Sequence, residues 1–193
     1  MLFTSLDFFL FLPLVLAVFA LTPVAQRWAV LLLASYVFYG FAQPFNLIYL
    51  GAVTLVVFAC GWGLAQVSQR GLRVAVFVIG LVAVLGSLTA FKFYDFLAGE
   101  IARANLLAGI KLPRLGVTAP AGYSFYVFSA ASYLIDIYVG RLSGRQSLGQ
   151  VALFTAYFPK IFAGPIERAT NFLPRVTAPV QPKLANRSSQ LGL

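Results

Sequence analysis

The chain has 193 residues, of which 61% are hydrophobic and only 10% are charged. Soluble domains are about 45–50% apolar and about 25% charged, so this composition excludes a soluble globular domain and predicts an integral membrane protein. The net charge of +9 is spread over short loops and the C-terminal part. This distribution is typical of loops beside anionic lipid, so the bilayer is the expected partner and nucleic acid is not.

Four apolar segments in the first half of the chain are predicted to be membrane helices, since a span needs about 20 apolar residues. They cover about 6–21, 28–41, 45–66 and 72–93. The first two are short for a full span, and Pro13 should kink the first. No Lys or Arg precedes Arg27, whereas a signal peptide needs a basic start, so the first segment is predicted to be retained. Lys92, Tyr94 and Asp95 should end the fourth helix at an interface.

Apolarity falls between residues 95 and 120, where charged residues and prolines appear. We expect an interfacial amphipathic helix at about 96–107, followed by a loop. A fifth membrane helix is predicted over 122–138, because this stretch is aromatic and nearly uncharged. Gly140 stands where a C-terminal cap is expected.

A sixth apolar segment, 148–162, is interrupted by Pro159 and Lys160 and ends at Gly164 and Pro165. It is too short and too broken to predict a span. We therefore interpret it as a re-entrant or interfacial helix.

The predicted fold is an all-α integral membrane protein, a multi-pass bundle of about five spanning helices plus one re-entrant or interfacial helix. Residues 1–169 would form the helical domain, and 170–193 a polar, Pro-containing tail leading toward a further helix. The positive-inside rule favours an extracytoplasmic N-terminus, because the short inner loops then hold the basic residues. Those residues are Arg27, Arg70, Arg73, Arg141 and Arg145.

The fifth helix carries a polar stripe. Tyr126, Ser129, Tyr133 and Asp136 recur at three- and four-residue intervals, which places them on one helical face. One interpretation is a packing face whose hydroxyls hydrogen-bond to neighbouring helices. The other is the lining of a tunnel with Asp136 as a buried acceptor, because ionisable groups inside a membrane are expensive and usually functional. The residues alone leave both open.

Charged residues also surround the break after the sixth segment. Lys160 precedes Gly164 and Pro165, and Glu167 and Arg168 follow them. Irregular backbone at membrane depth is tolerated only where protein or a water-filled cavity satisfies its polar groups. The break therefore predicts either a re-entrant element facing a cavity or an interfacial Glu167–Arg168 pair that marks the water boundary.

The chain contains no histidine and one cysteine, Cys60. A Ser-His nucleophile and a Cys/His metal site are therefore excluded within this sequence. Deprotonating an acceptor hydroxyl needs a group that titrates near neutral pH, as His does. We predict no catalytic residue and no metal site in this chain.

Two segments, GYSFYVFSAASYLIDIYVGR (122–141) and YFPKIFAGPIER (157–168), resemble the membrane-bound O-acyltransferase family, in particular its alginate O-acetyltransferase-like branch. The opening MLFTSLDFFLFLPLVLAV and the segment LLLASYVFYGF (31–41) are similar to the N-terminus of that branch. The resemblance covers residues 1 to about 174. Family members are considerably longer, and no position here matches their catalytic histidine or their Trp-Arg-Arg-Trp-His-like signature.

The resemblance implies a bundle with a central funnel, in which an acyl group from a cytoplasmic thioester donor reaches a hydroxyl across the membrane. It implies that this chain is the N-terminal part of an enzyme of the bacterial inner membrane that acylates, in the first instance acetylates, a cell-envelope polysaccharide. As such a part it would be inactive, would bind no cofactor beyond the implied donor, and would meet other polysaccharide-acetylation or export proteins.

Two alternatives remain. The chain is a non-catalytic scaffold or partner subunit of a polysaccharide modification or export complex, or it is a small transporter or channel. In the second case the face from Tyr126 to Asp136 would be its path.

Overall fold

The computed structural model describes residues 6–42, 44–103, 122–163 and 167–177. Within these ranges the chain is helical and contains no strand. The helices are α1 (Leu6–Leu21), α2 (Arg27–Ala42), α3 (Asn46–Gln66), α4 (Arg70–Arg103), α5 (Tyr123–Tyr138), α6 (Leu148–Ala156), α7 (Phe158–Ala163) and α8 (Ala169–Thr177), with a 3-10 turn at Val24–Gln26. The prediction of an all-α membrane bundle is confirmed.

Three stretches of the described chain are long and apolar enough to cross a membrane. They are Val24–Phe41, Leu47–Gln66 and Arg70–Tyr94. Helices α1 and α5, with 16 residues each, are shorter. Helix α5 lies at the centre of the bundle, because it packs against α3, α4, α6, α7 and α8. Large apolar side chains point away from the bundle, as Ile79 does on α4, where they would meet lipid.

Helix α4 is longer than the sequence predicts. It runs on through Lys92 and Asp95 to Arg103, a total of 34 residues, so the predicted end at the Lys92–Asp95 cluster and a separate helix starting near residue 96 are wrong. No proline interrupts this stretch, so nothing in the backbone forces a stop. The change from apolar to charged residues is a change of composition along one helix. Residues 104–121, where the predicted loop falls, lie outside the described ranges.

The sixth apolar segment forms two short helices, α6 and α7, which are separated at Tyr157. Ser147 caps α6 with a reciprocal pair of hydrogen bonds: its backbone N–H donates to Gln150 Oε1 at 2.9 Å, and its hydroxyl accepts from the Gln150 N–H at 3.3 Å. With nine and six residues, neither helix can cross a hydrocarbon layer of about 30 Å at about 1.5 Å per residue.

The segment enters and leaves at one end of the bundle. Gly149, at the start of α6, lies so close to Trp28, at the start of α2, that a Cβ there would be 2.6 Å from the indole. Thr155, near the end of α6, reaches the middle of α3. Arg168 then lies 3.7 Å from Asp136, near the C-terminus of α5. The C-terminus of α5 and the N-terminus of α2 lie at the same end of the bundle. This geometry is the one that the re-entrant interpretation predicts, and we call α6 and α7 together the re-entrant segment; its placement in a membrane stays a prediction.

Helical structure continues past residue 169, where we expected a polar tail to begin. Helix α8 buries Ala169, Phe172 and Leu173 against the same core that holds α5 and α6. The apolar residues recur at three- and four-residue spacing, so one face of α8 packs while Asn171 and Arg175 stay exposed. Residues 178–193 lie outside the described ranges.

Two glycines fix the turn after α5. Gly140 has φ +83°, a left-handed conformation that favours glycine. It lets the N–H of Arg141 donate to the carbonyl oxygen of Asp136 at 2.8 Å. Gly144 then lies directly on α3, where a Cβ would come within 2.2 Å of the carbonyl oxygen of Gly61. The chain therefore crosses the C-terminal part of α3 before it enters α6.

We expect Gly144→Ala to lower the free energy of unfolding by about 2 kcal/mol, because the added methyl group must displace backbone. The measurement is unfolding in detergent, followed by circular dichroism. Gly86→Ala is the matched control, since nothing lies within 4 Å of a Cβ there. It should leave stability unchanged or raise it. Equal losses in the two variants would contradict this packing.

Candidate functional site

The polar stripe of α5 lies inside the bundle. Tyr126, Ser129, Tyr133 and Asp136 are all buried, with exposed fractions between 0 and 2%. In a membrane, buried polar groups must find partners within the protein. What each side chain contacts therefore shows what the stripe can do.

Tyr126 joins three helices near the middle of the bundle. Its hydroxyl donates to the carbonyl oxygen of Leu50 on α3 at 2.6 Å and contacts the hydroxyl of Thr54. Thr54 in turn lies 3.5 Å from the hydroxyl of Thr155 on α6. This hydroxyl cluster ties α5 to α3 and to the re-entrant segment. Tyr39 lies in the same core on a fourth helix, α2, and its buried hydroxyl has no partner within the described residues.

The middle of the stripe is packed rather than bonded across helices. The Tyr133 ring lies against Gly61, where a Cβ would approach it to 3.0 Å, and is tilted against Phe154 with ring centroids 6.3 Å apart. Ser129 donates to the carbonyl oxygen of Phe125 within α5 at 2.8 Å. Whether this face lines a tunnel in a complete bundle stays a prediction.

Asp136 meets two arginines where α5 ends. Its Oδ1 lies 3.7 Å from Nη1 of Arg168 and 3.9 Å from Nη1 of Arg141. Both arginine side chains are more than half exposed, so water screens these pairs and each contributes little on its own. The other carboxylate oxygen, Oδ2, is buried and has no hydrogen-bond partner within the described residues. The carboxylate therefore retains an unused acceptor at the basic end of the bundle.

Lys160 is the buried cation of the re-entrant segment, 7% exposed on α7. Its Nζ donates to the carbonyl oxygen of Glu167 at 3.3 Å and lies 3.9 Å from the ring centroid of Phe154, a cation–π distance. Burial lowers the pKa of Lys160 to about 8, against the opposing effect of the Glu167 carboxylate. The amine thus holds the returning chain against α6.

Glu167 and Arg168 form no ion pair with each other in the described structure, and their place at the water boundary stays a prediction. Glu167 Oε1 lies 3.0 Å from Nη1 of Arg175 on α8, while Arg168 turns to Asp136. Each of these two neighbouring residues therefore has its charged partner on a different helix. Gly164 and Pro165 lie outside the described residues.

The structure brings the two predicted groups of polar residues together. Asp136 contacts Arg168, and Tyr126 is connected through Thr54 to Thr155 on α6. In the described part of the chain, no group of three or more His, Cys, Asp or Glu side chains could hold a metal ion. The arrangement orients the helices and the re-entrant segment through hydroxyls, two carboxylates and one amine.

Sequence reasoning missed the residues opposite α5. Thr54 is a polar residue within an otherwise apolar run of α3, and this polar residue was the signal that could have indicated a contact with the α5 stripe. Arg73 donates from Nη2 to the carbonyl oxygens of Tyr138 at 3.1 Å and Ile137 at 3.4 Å, so it caps the end of α5 from α4. A basic residue in an inner loop gives no hint of that partner. The sequence likewise could not predict the close contacts of Gly61, because they depend on which helix lies beside α3.

These features define a multi-pass helical membrane protein whose polar groups face inward and whose re-entrant segment is joined to the central helix. The probable alginate O-acetylase of Azotobacter vinelandii is 34% identical over 87% of this chain and 34% of that protein. The one of Pseudomonas aeruginosa is 32% identical over 87% of the chain and 33% of that protein. The peptidoglycan O-acetyltransferase of Helicobacter pylori is 25% identical over 98% of the chain and 41% of that protein.

These similarities confirm the resemblance to the alginate O-acetyltransferase-like branch of the membrane-bound O-acyltransferase family. The chain spans about a third of the length of the alginate O-acetylases that it matches. No family model matches the chain, and no solved structure does.

The hydroxyl cluster gives a matched pair of variants. Tyr126→Phe should lower the free energy of unfolding by about 1 kcal/mol, because it removes a buried hydroxyl that bonds to the carbonyl oxygen of Leu50 and contacts Thr54. Tyr39→Phe removes a buried hydroxyl that has no partner in the described structure, so it should be neutral or stabilising. Detergent unfolding of both variants measures the difference, and a larger loss for Tyr39→Phe would refute the assignment of the bonds.

Proposed function

We propose that this chain forms part of a membrane-bound O-acyltransferase that transfers an acyl group, in the first instance acetyl, to hydroxyls of a cell-envelope polysaccharide. The observation that carries the proposal is the 34% identity to the probable alginate O-acetylase of A. vinelandii over 87% of the chain. The weaker similarity to a peptidoglycan O-acetyltransferase supports a polysaccharide acceptor in general. It gives no reason to prefer one polymer.

In this proposal the described helices form one wall of the enzyme and the chain alone is inactive. Activating an acceptor hydroxyl needs a base near neutral pH, and the 193 residues contain no histidine. The base would come from outside these residues. Helix α5 and the re-entrant segment would orient that wall through the Tyr126 cluster and the contact between Asp136 and Arg168.

We place the protein in the bacterial inner membrane with the N-terminus extracytoplasmic. The contacts of Arg73 with the end of α5 and of Arg168 with Asp136 gather these basic residues at one end of the bundle. The positive-inside rule assigns that end to the cytoplasm. An acyl thioester donor would then approach from this end, and polysaccharide-acetylation or export proteins would act with the enzyme from the other.

Cysteine labelling tests the orientation. Cys60→Ser removes the single cysteine, and a reporter is then introduced at the exposed Ser143 or at Phe45, which is 76% exposed between α2 and α3. In spheroplasts, a membrane-impermeant maleimide should label Phe45→Cys and should label Ser143→Cys only after lysis. The reverse pattern would invert the topology and contradict the proposal.

A chimera tests the activity. The part of the A. vinelandii alginate O-acetylase that matches this chain is replaced by the corresponding residues of this chain, in cells that lack their own enzyme. We expect O-acetylated alginate, measured by NMR of the purified polymer, because the replaced wall keeps its fold. The separate 193-residue chain at equal membrane abundance should give none.

A well-expressed chimera without acetylation would contradict the assignment of this chain to the enzyme. Acetylation by the chain alone would contradict the statement that the base lies outside it. Chimera abundance is checked by immunoblot, so a folding failure is recognised as such.

A further inference from the structure

A second polar site lies beside the end of α5, away from the buried stripe. It is an open pocket of about 520 Å³ between the C-terminal end of α3, the first turn of α4 and the turn at residues 140–145. Its polar lining comes from Ser68, Arg73, Ser143 and Arg145, and none of its lining residues is acidic. The pocket therefore combines two guanidinium groups with two hydroxyls and no opposing charge of its own.

The two arginines offer donors that the protein does not use. Arg145 is exposed, and its guanidinium makes no hydrogen bond or ion pair with the described residues. Nη2 of Arg73 donates to the carbonyl oxygens at the end of α5, whereas its Nε is buried and has no partner within the described residues. Its Nη1 makes no hydrogen bond with the described residues and is the Arg73 donor left for an anion in the pocket.

The shape of the pocket is set by backbone packing and not by the arginines alone. Gly140 turns the chain through a left-handed conformation, and Gly144 contacts α3 at Gly61. This turn carries Ser143 and Arg145 to a fixed place opposite Arg73. The N-terminal end of α4 lies at the same edge and adds the positive potential of a helix start. The site is thus formed without a ligand.

A phosphate ester suits these groups best. Guanidinium groups pair with phosphate through two parallel hydrogen bonds, and the serine hydroxyls add further donors. The pocket lies where α3 ends and α4 begins, which is the level of phospholipid headgroups for helices that span the hydrocarbon layer. A phosphate at that level is available from the membrane itself.

We propose that this pocket binds the phosphate group of a phosphate ester, with an anionic phospholipid headgroup as the first source and a water-soluble phosphate as the second. Arg145 and Arg73 hold the phosphate, and Ser68 and Ser143 line its approach. The site is separate from the proposed acyl transfer and does not depend on it.

The test uses the full chain purified in neutral detergent. Thermal unfolding is followed while phosphatidylglycerol, the diacylglycerol with the same acyl chains, or inorganic phosphate is added at constant ionic strength. We expect phosphatidylglycerol to raise the midpoint and diacylglycerol to leave it unchanged. Protection by inorganic phosphate as well would assign the site to soluble phosphates; protection by neither phosphate source would overturn the proposal.

The matched variants are Arg145→Gln and Arg70→Gln, which remove the same charge at the same end of the bundle. Arg145 lines the pocket and Arg70 does not. Arg145→Gln should weaken the apparent affinity for phosphatidylglycerol about tenfold, the loss expected for one charge-assisted hydrogen bond. Arg70→Gln should change it little. Equal losses in both variants would indicate general surface attraction and would overturn the proposal. Arg73→Gln is less informative, because Arg73 also caps α5.

Discussion

A protein that lies in hydrocarbon must satisfy its polar groups from within, and helix α5 is where this chain meets that constraint. The hydroxyl of Tyr126 reaches the backbone of α3 and the hydroxyl of Thr54, which extends the contact to α6. These contacts place Thr155 of α6 at the level of Thr54 of α3. The glycine contacts and aromatic packing around α5 follow from the same approach of three helices.

The return of the re-entrant segment depends on charges rather than hydroxyls. Lys160 donates to the carbonyl of Glu167, and Arg168 approaches Asp136 at the end of α5. Each contact is modest, since the arginine is exposed and screened. Together they bring the chain back to the end where α6 began and place α8 against the core. The same end carries the basic pocket, where Arg73 both caps α5 and lines the pocket.

Much of the fold was predictable because membrane helices are recognised in a sequence as uninterrupted apolar runs. The limits of α1, α2, α3 and α5 follow from such runs and from the breaks between them. The end of α4 was not predictable in this way, since charged residues permit helix as well as loop. Helix α8 was missed because three apolar positions in a polar stretch are a weak signal until a core exists to bury them.

The sequence by itself determined that this is a helical membrane protein, that α5 carries a polar face, and that charged residues flank a break after the sixth segment. It also determined that no histidine is present. Only the tertiary structure decided the partners: Arg168 with Asp136, Glu167 with Arg175, and Arg73 with the end of α5. Periodicity reports which residues share a face of one helix, but which helices lie side by side depends on packing between segments far apart in the chain.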